Sequence, residues 1–282
     1  MFKAIGKLFK FILILILILV ILAAGIGCYA RFIEPNLVST TQIDRQSNLI
    51  KEKLTIAVFA DTHFGFDYDT DEFDKAIAKI NEKNPDIVLF AGDLIDNLNK
   101  YASSTSEISS KLGQIKANVG KYAVFGNHDY GGGAEYKYEN IMAAGGFKVL
   151  LNQSQAFDRY NLRLIGIDDL LIGYGDPTMA QNVDESKYNF VLCHEPDVIE
   201  SLLDSNTNFM TSGHTHGGQI NIPFYKNEFL PSYGEKYIKG EYNIKSKNNT
   251  TLYVNSGLGT TKLPVRFMAI PEITFITLSP AS

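Results

Sequence analysis

The chain has 282 residues, 45% of them hydrophobic, which is enough to bury one sizeable core. Its two cysteines, Cys28 and Cys193, exclude a disulfide framework and a cysteine-built zinc knot. The formal charge of −5 is uneven: residues 1–30 carry only Lys3, Lys7 and Lys10, leaving 23 basic and 31 acidic groups beyond them. An acidic body without a Lys/Arg block argues against nucleic acid as the main partner, although bound cations could still draw in an anionic substrate.

Residues 11–26 (FILILILILVILAAGI) contain no polar side chain, and the run through Ala30 is 20 residues long, about what a helix needs to cross a bilayer. Cys28-Tyr29-Ala30 is a poor signal-cleavage site, and Gly25 stands where a lipoprotein processing site would have Leu. The sequence therefore predicts an uncleaved transmembrane anchor over residues 1–30. Three lysines before the span and only Arg31 close after it predict a cytoplasmic N-terminus. The protein is then a single-pass cell-membrane protein with an extracytoplasmic body. Residues 31–53, polar and with Pro35, read as a linker, and 54–282 as one folded domain.

That domain opens with an apolar strand over 54–60, ending in Asp61-Thr62-His63. Phe73, Ile77 and Ile80 predict a helix over 70–83, capped by Thr70 and stopped by Asn84-Pro85. A second strand over 86–91 ends in Gly92-Asp93, with Asp96 just beyond, and a helix is expected over 105–118. A third strand over 121–125 ends in Gly126-Asn127-His128-Asp129, before a helix near 134–144. Strand, polar cluster and helix in alternation indicate an α/β fold with ligands beyond the carboxyl ends of its strands. Residues 147–151, 155–158 and 162–167 read as successive antiparallel strands. A strand over 189–193 then leads to His194, and 208–211 leads to Gly213-His214-Thr215-His216-Gly217. Residues 219–249 look like a long surface excursion whose Phe224, Tyr225, Phe229, Tyr233, Tyr237 and Tyr242 shape a substrate mouth or rest near the bilayer.

All five histidines lie at or just past strand ends, two of the four clusters with Asp or Asn within two residues. Histidines placed for packing would scatter. Asp61, His63, Asp93, Asn127, His194, His214 and His216 make seven oxygen and nitrogen ligands suited to Mn, Fe or Zn, enough for two ions if one carboxylate bridges. A structural zinc would need only four. Gly92, Gly126, Gly213 and Gly217 flank these ligands, where the backbone must turn sharply. Arg266 is a candidate for a substrate phosphate, a structural salt bridge being the preferred reading, Glu195 reads as an exposed acid, Asp168-Asp169 as a turn pair and Cys193 as buried filler. A non-catalytic binding module would lack some of the ligands or His128, and a Cys193–His194 nucleophile pair is disfavoured because strand neighbours point to opposite faces.

The ordered set Asp-x-His, Gly-Asp, Gly-Asn-His-Asp, His and Gly-His-Thr-His resembles the calcineurin-like metallophosphoesterases over residues 54–278. The resemblance implies a four-layer αββα sandwich of two mixed sheets, with a dinuclear site at strand ends and 147–167 in the second sheet. It implies one divalent ion on Asp61, His63, Asp93 and His216, and a second on the bridging Asp93 with Asn127, His194 and His214. His128 would contact the phosphate or protonate the leaving oxygen, and Asp96 would orient it. Asp96-Asn97-Leu98 stands where the protein phosphatases of this superfamily have Asp-Arg-Gly, which argues against protein phosphatase activity. Gly217-Gly218-Gln219, Asn255–Thr260 and Leu263–Phe267 are closer to a bacterial, membrane-anchored branch. The implied activity is hydrolysis of a phosphoester, a lipid-linked one included. Cleavage of the acylated UDP-glucosamine precursor of lipid A is the alternative, and it belongs on the cytoplasmic face.

Overall fold

A computed structural model describes all residues except Met1, Ala102, Ser103, Lys226, Glu228, Phe229 and Ser282, and the side chains of residues 2–4 are left aside. Helix α1 (Phe2–Cys28) stands clear of the rest. It runs on through a π-helical turn (Tyr29–Ile33) and a 3₁₀ turn (Glu34–Asn36) into the body. Over Ile5–Asn36 it is long and apolar enough to cross a membrane, and its most apolar stretch is nowhere buried.

The first half of the body contains β1 (Ser39–Ser47), β2 (Leu54–Phe59), α2 (Thr70–Lys83), β3 (Ile87–Phe90), α3 (Thr105–Gly113), β4 (Gly120–Ala123), α4 (Asn127–Tyr130), α5 (Tyr138–Ala144) and β5 (Phe147–Val149). The second contains β6 (Gln153–Phe157), β7 (Leu162–Gly166), β8 (Tyr188–Leu192), β9 (Phe209–Ser212), β10 (Gly240–Asn243), β11 (Thr251–Val254) and β12 (Glu272–Pro280). They form two six-stranded mixed sheets, ordered β1-β12-β2-β3-β4-β5 and β10-β11-β9-β8-β7-β6. The last strand closes the first sheet, antiparallel to β2 and parallel to β1.

The period of two explains the layers. In β2, Ala57 and Phe59 face the helices, where Phe73, Ile80, Ile108, Leu112 and Ile141 complete one core. Its Ile56 and Val58 face the second sheet, meeting Leu162, Leu164, Phe190 and Phe209. Beyond that sheet, Ile165, Val191 and Met210 are covered by the 3₁₀ segment Pro196–Leu202 rather than by a full α-helix. The fold is the expected αββα sandwich.

Three local expectations differ. Residues 39–47 are an edge strand rather than part of a loose linker, because nine residues pair in register with β12 and Ile43 is buried. Residues 147–149 pair with β4 in the first sheet, so the chain changes sheets between 149 and 153 and only β6–β7 is an antiparallel hairpin. Helix α2 is capped by Asp69, not Thr70: Asp69 accepts from the Asp71 N–H while Glu72 accepts from the Asp69 N–H. Asn84, in the left-handed conformation, ends that helix as expected.

Candidate metal centre

Loops leaving the carboxyl ends of β2, β3, β4, β8 and β9 converge at one end of the sandwich, bringing all seven predicted ligands together with His128 and Asp96. Donor atoms of Asp61, His63 and His216 lie within 4.8 Å of one another, as do those of Asp93, His194 and His214, and those of His63, Asp93 and His128. Five of the seven, Asp61, His63, Asp93, His214 and His216, have positive φ, between 44° and 73°. Such conformations cost about 1–3 kcal/mol each for non-glycine residues and persist where surrounding structure compels them. Here they aim side chains inward at the ends of short strands.

The imidazoles form two facing pairs. His63 Nε2 is 3.0 Å from His216 Nε2, and His194 Nε2 is 3.0 Å from His214 Nδ1. The outer nitrogen of each ring meets an oxygen: Asp96 Oδ1 at 3.2 Å for His63, Ala91 O at 2.6 Å for His194, Ser232 O at 2.9 Å for His214 and Gly259 O at 3.3 Å for His216. A ring N–H donating outward leaves a lone pair directed inward, the arrangement that histidine ligands adopt. Asp93 joins the pairs. Its Oδ2 lies 3.4 Å from His63 Nε2 and 3.2 Å from His194 Nε2, while Oδ1 accepts the His128 N–H at 2.8 Å. Asn127 lines the same cavity, and its Oδ1 is buried without a hydrogen-bond partner.

Electrostatics points the same way. Burial opposes charge on His63, yet Asp93 and Asp96 raise its pKa to about 9; burial, His63 and Arg266 hold His216 well below its ordinary value. Burial likewise opposes charge on His194, but Asp93 raises it well above its ordinary value, and burial with His194 presses His214 down to about 3. Burial alone would raise Asp93, but His194 and His63 keep it well below the usual carboxylate range, whereas burial pushes Asp61 up to about 6. The nitrogen and oxygen donor set fits divalent ions. The clusters and the family together indicate a dinuclear divalent-metal site.

His128 is partly exposed in the cavity, and its Nδ1 lies 2.8 Å from the main-chain oxygen of Asp96. The Asp96 carboxylate is farther, at 3.5 Å, and nearer His63 at 3.2 Å, so it serves both rings. Arg266 departs from expectation. It is fully buried, and its guanidinium donates to the carbonyls of Gly259, Ser256, Ala269 and His216, so no donor face is turned to a substrate phosphate. Among the described residues it has no salt-bridge partner either: it braces the loop behind His216. Glu195 is also fully buried, accepting the Leu170 N–H at 2.9 Å, rather than an exposed acid. Cys193 is buried filler whose thiol is pushed up by burial, and Asp168-Asp169 hold a turn through the N–H groups of Ile172, Gly173 and Tyr174.

One kind of group escaped sequence reasoning: the carbonyls of Ala91, Ser232 and Gly259 have no sequence signal, since any residue supplies one. Asp129 takes the N–H groups of Asp93, Leu94 and Gly126 and locks the β3 and β4 loops together. Gly126 belongs to that lock: a Cβ there would stand 2.3 Å from Asp93 Oδ1. Of the 219–249 aromatics, Phe224, Tyr225 and Tyr233 are exposed, Tyr237 is buried against Tyr242, and Phe229 lies outside the described residues. The cavity, about 310 Å³, runs from the ligands to Ile220, Leu230, Pro231 and Leu263.

The calcineurin-like phosphoesterase family model matches residues 54–218. The chain is 38% identical to the metallophosphoesterase YkuE of Bacillus subtilis over 91% of each protein. It is 30% identical to the phosphodiesterase YaeI of Escherichia coli, over 79% of this chain and 81% of that one. It is 28% identical to a Danio rerio transmembrane protein with metallophosphoesterase domain, over 81% of this chain and 54% of that protein. With every ligand block of the resemblance gathered at one end of its sheets, the chain belongs to the calcineurin-like phosphoesterase family.

Proposed function

We propose that the protein is a membrane-tethered hydrolase of phosphate diesters or pyrophosphates, acting on lipid-linked substrates with its body outside the cytoplasm. The observation that carries the chemistry is Asp93 Oδ2 reaching towards one imidazole of each facing pair. In this reading Asp61, His63, Asp93 and His216 hold one divalent ion, and Asp93, Asn127, His194 and His214 the other. Two such ions offset charge on the phosphate oxygens and lower the pKa of the attacking water. Asp61 and Asp93 are held in place from the backbone, by the N–H groups of His214 and His128. His128 has its Nδ1 anchored on Asp96 O, leaving Nε2 to contact the phosphate and pass a proton to the leaving oxygen. The apolar end of the cavity supports a substrate with a hydrocarbon portion, and the candidate span supports a membrane location. Lysines before the span support the outward body.

Full-length protein in detergent, loaded with manganese, is expected to hydrolyse an aryl phosphodiester and to stop on chelation. His128→Ala should lower turnover about 10²- to 10⁴-fold while metal content stays the same. Asp93→Ala should lose both metal and turnover; full turnover in that variant would rule out the two-ion reading.

A further inference from the structure

We propose that the surface around Phe224 and Met268 docks on the lipid bilayer beside the anchor, so that the mouth of the cavity opens at the membrane surface. The inference rests on the membrane-tethered reading above and adds to it a face of the body itself.

The anchor does not leave the body through a free tether. Below the apolar run, the Arg266 N–H donates to Ala30 O at 2.9 Å, and the Ala269 N–H to the buried Glu34 carboxylate at 2.6 Å. Residues 266–269 are therefore bonded to the base of the helix. The loop after the paired histidines is bonded to them in turn: the Asn221 N–H donates to Phe267 O at 2.8 Å and its Nδ2 to Met268 O at 3.3 Å. Around these bonds Phe32, Ile33, Ile222, Phe224, Leu263 and Met268 all expose their side chains, Phe224 completely. Exposed apolar groups scattered singly are ordinary, but six on three segments tied together mark an interaction surface.

Position selects the occupant. A helix that ends its crossing near Ala30 brings a patch bonded to Ala30 and Glu34 to the headgroup and acyl boundary, where apolar and aromatic side chains are stabilised. Lys262 and Lys239 are exposed beside the patch, next to Leu263 and with Nζ 3.3 Å from Met268 O respectively, where anionic headgroups would meet them. The patch also reaches the cavity. Leu263 belongs to both, and Ile220 in the cavity wall bridges to Phe267. A phosphoester headgroup can enter from the bilayer while its chains stay there.

The chain has no tryptophan, so single tryptophans report without background. Phe224→Trp, Leu15→Trp and Val119→Trp in the full chain would be reconstituted into phosphatidylglycerol vesicles with and without brominated phosphatidylcholine. Val119, exposed before the amino end of β4, is at the end of the sheet away from the ligands. Phe224→Trp should emit further to the blue and lose roughly half its intensity or more to bromine, as expected of an interfacial side chain, with Val119→Trp unaffected. Quenching at Leu15→Trp with none at Phe224→Trp overturns docking and leaves the anchor standing. No quenching at Leu15→Trp overturns the membrane reading and docking with it. A blue shift at Phe224→Trp that bromine does not quench means that a second copy of the chain covers the patch, and it overturns docking too.

Discussion

His216 is held from behind by a residue that never reaches the cavity. Gly259 O faces its Nδ1, and the same carbonyl accepts from Arg266, whose other donors reach Ser256, Ala269 and the His216 carbonyl. A guanidinium suits this because one planar group satisfies several buried carbonyls at once. Arg266→Met would take from the Ser256 and Ala269 carbonyls the donor that satisfies them, at about 1–3 kcal/mol each. We expect a marked fall in melting temperature and weaker metal retention, with the Michaelis constant of the residual loaded enzyme unchanged. A raised Michaelis constant at unchanged stability would return Arg266 to the substrate. The sequence showed an arginine near the end of the chain but not its burial, since a motif carries no information about solvent. Glu195 was misread for the same reason. The seven candidate ligands were legible because few residue types donate to metals and all of them stand at strand ends.

At the scale of elements, ligand loops depend on unusual backbone more than on the strands that feed them. Gly92 has φ +92°, and a Cβ there would lie 2.6 Å from Gly126 N and 2.7 Å from His194 Nδ1. Gly92→Ala is therefore expected to lose about 1–3 kcal/mol of stability and to displace His194 from Ala91 O. Metal analysis should then find about one ion per chain rather than two, because His194 serves only one proposed ion. Two retained ions would show that the loop can yield. Strand and helix order was readable from periodicity, and α2 matched its predicted span. Caps and sheet membership were not: Asp69 and Thr70 are adjacent capping residues, and whether 147–149 pairs with β4 or with β6 depends on a chain reversal that hydrophobic pattern does not encode.

For the molecule as a whole, β1 ties the α1 side of the chain to the sheet that carries the candidate centre. It pairs along its full length with β12, whose opposite edge pairs with β2. A protein beginning at residue 54 would lose β1 and the Glu34 contact, and would bare an edge of nine unpaired residues on β12. We expect it to aggregate, whereas one beginning at residue 31 keeps both features and remains soluble in mild detergent. Size-exclusion profiles of the two would decide, and a monodisperse protein from residue 54 would make β1 dispensable. By itself the sequence determined the α/β class, the candidate span and the inventory of ligands, because side-chain chemistry and periodicity are local properties. Only the tertiary structure decided which imidazoles face each other, that Arg266 and Glu195 are interior, and that residues 39–47 belong to the sheet. Those outcomes depend on contacts between distant segments, such as Glu34 with Ala269, 235 residues apart. No local pattern records which distant carbonyl or strand edge will be there to meet them.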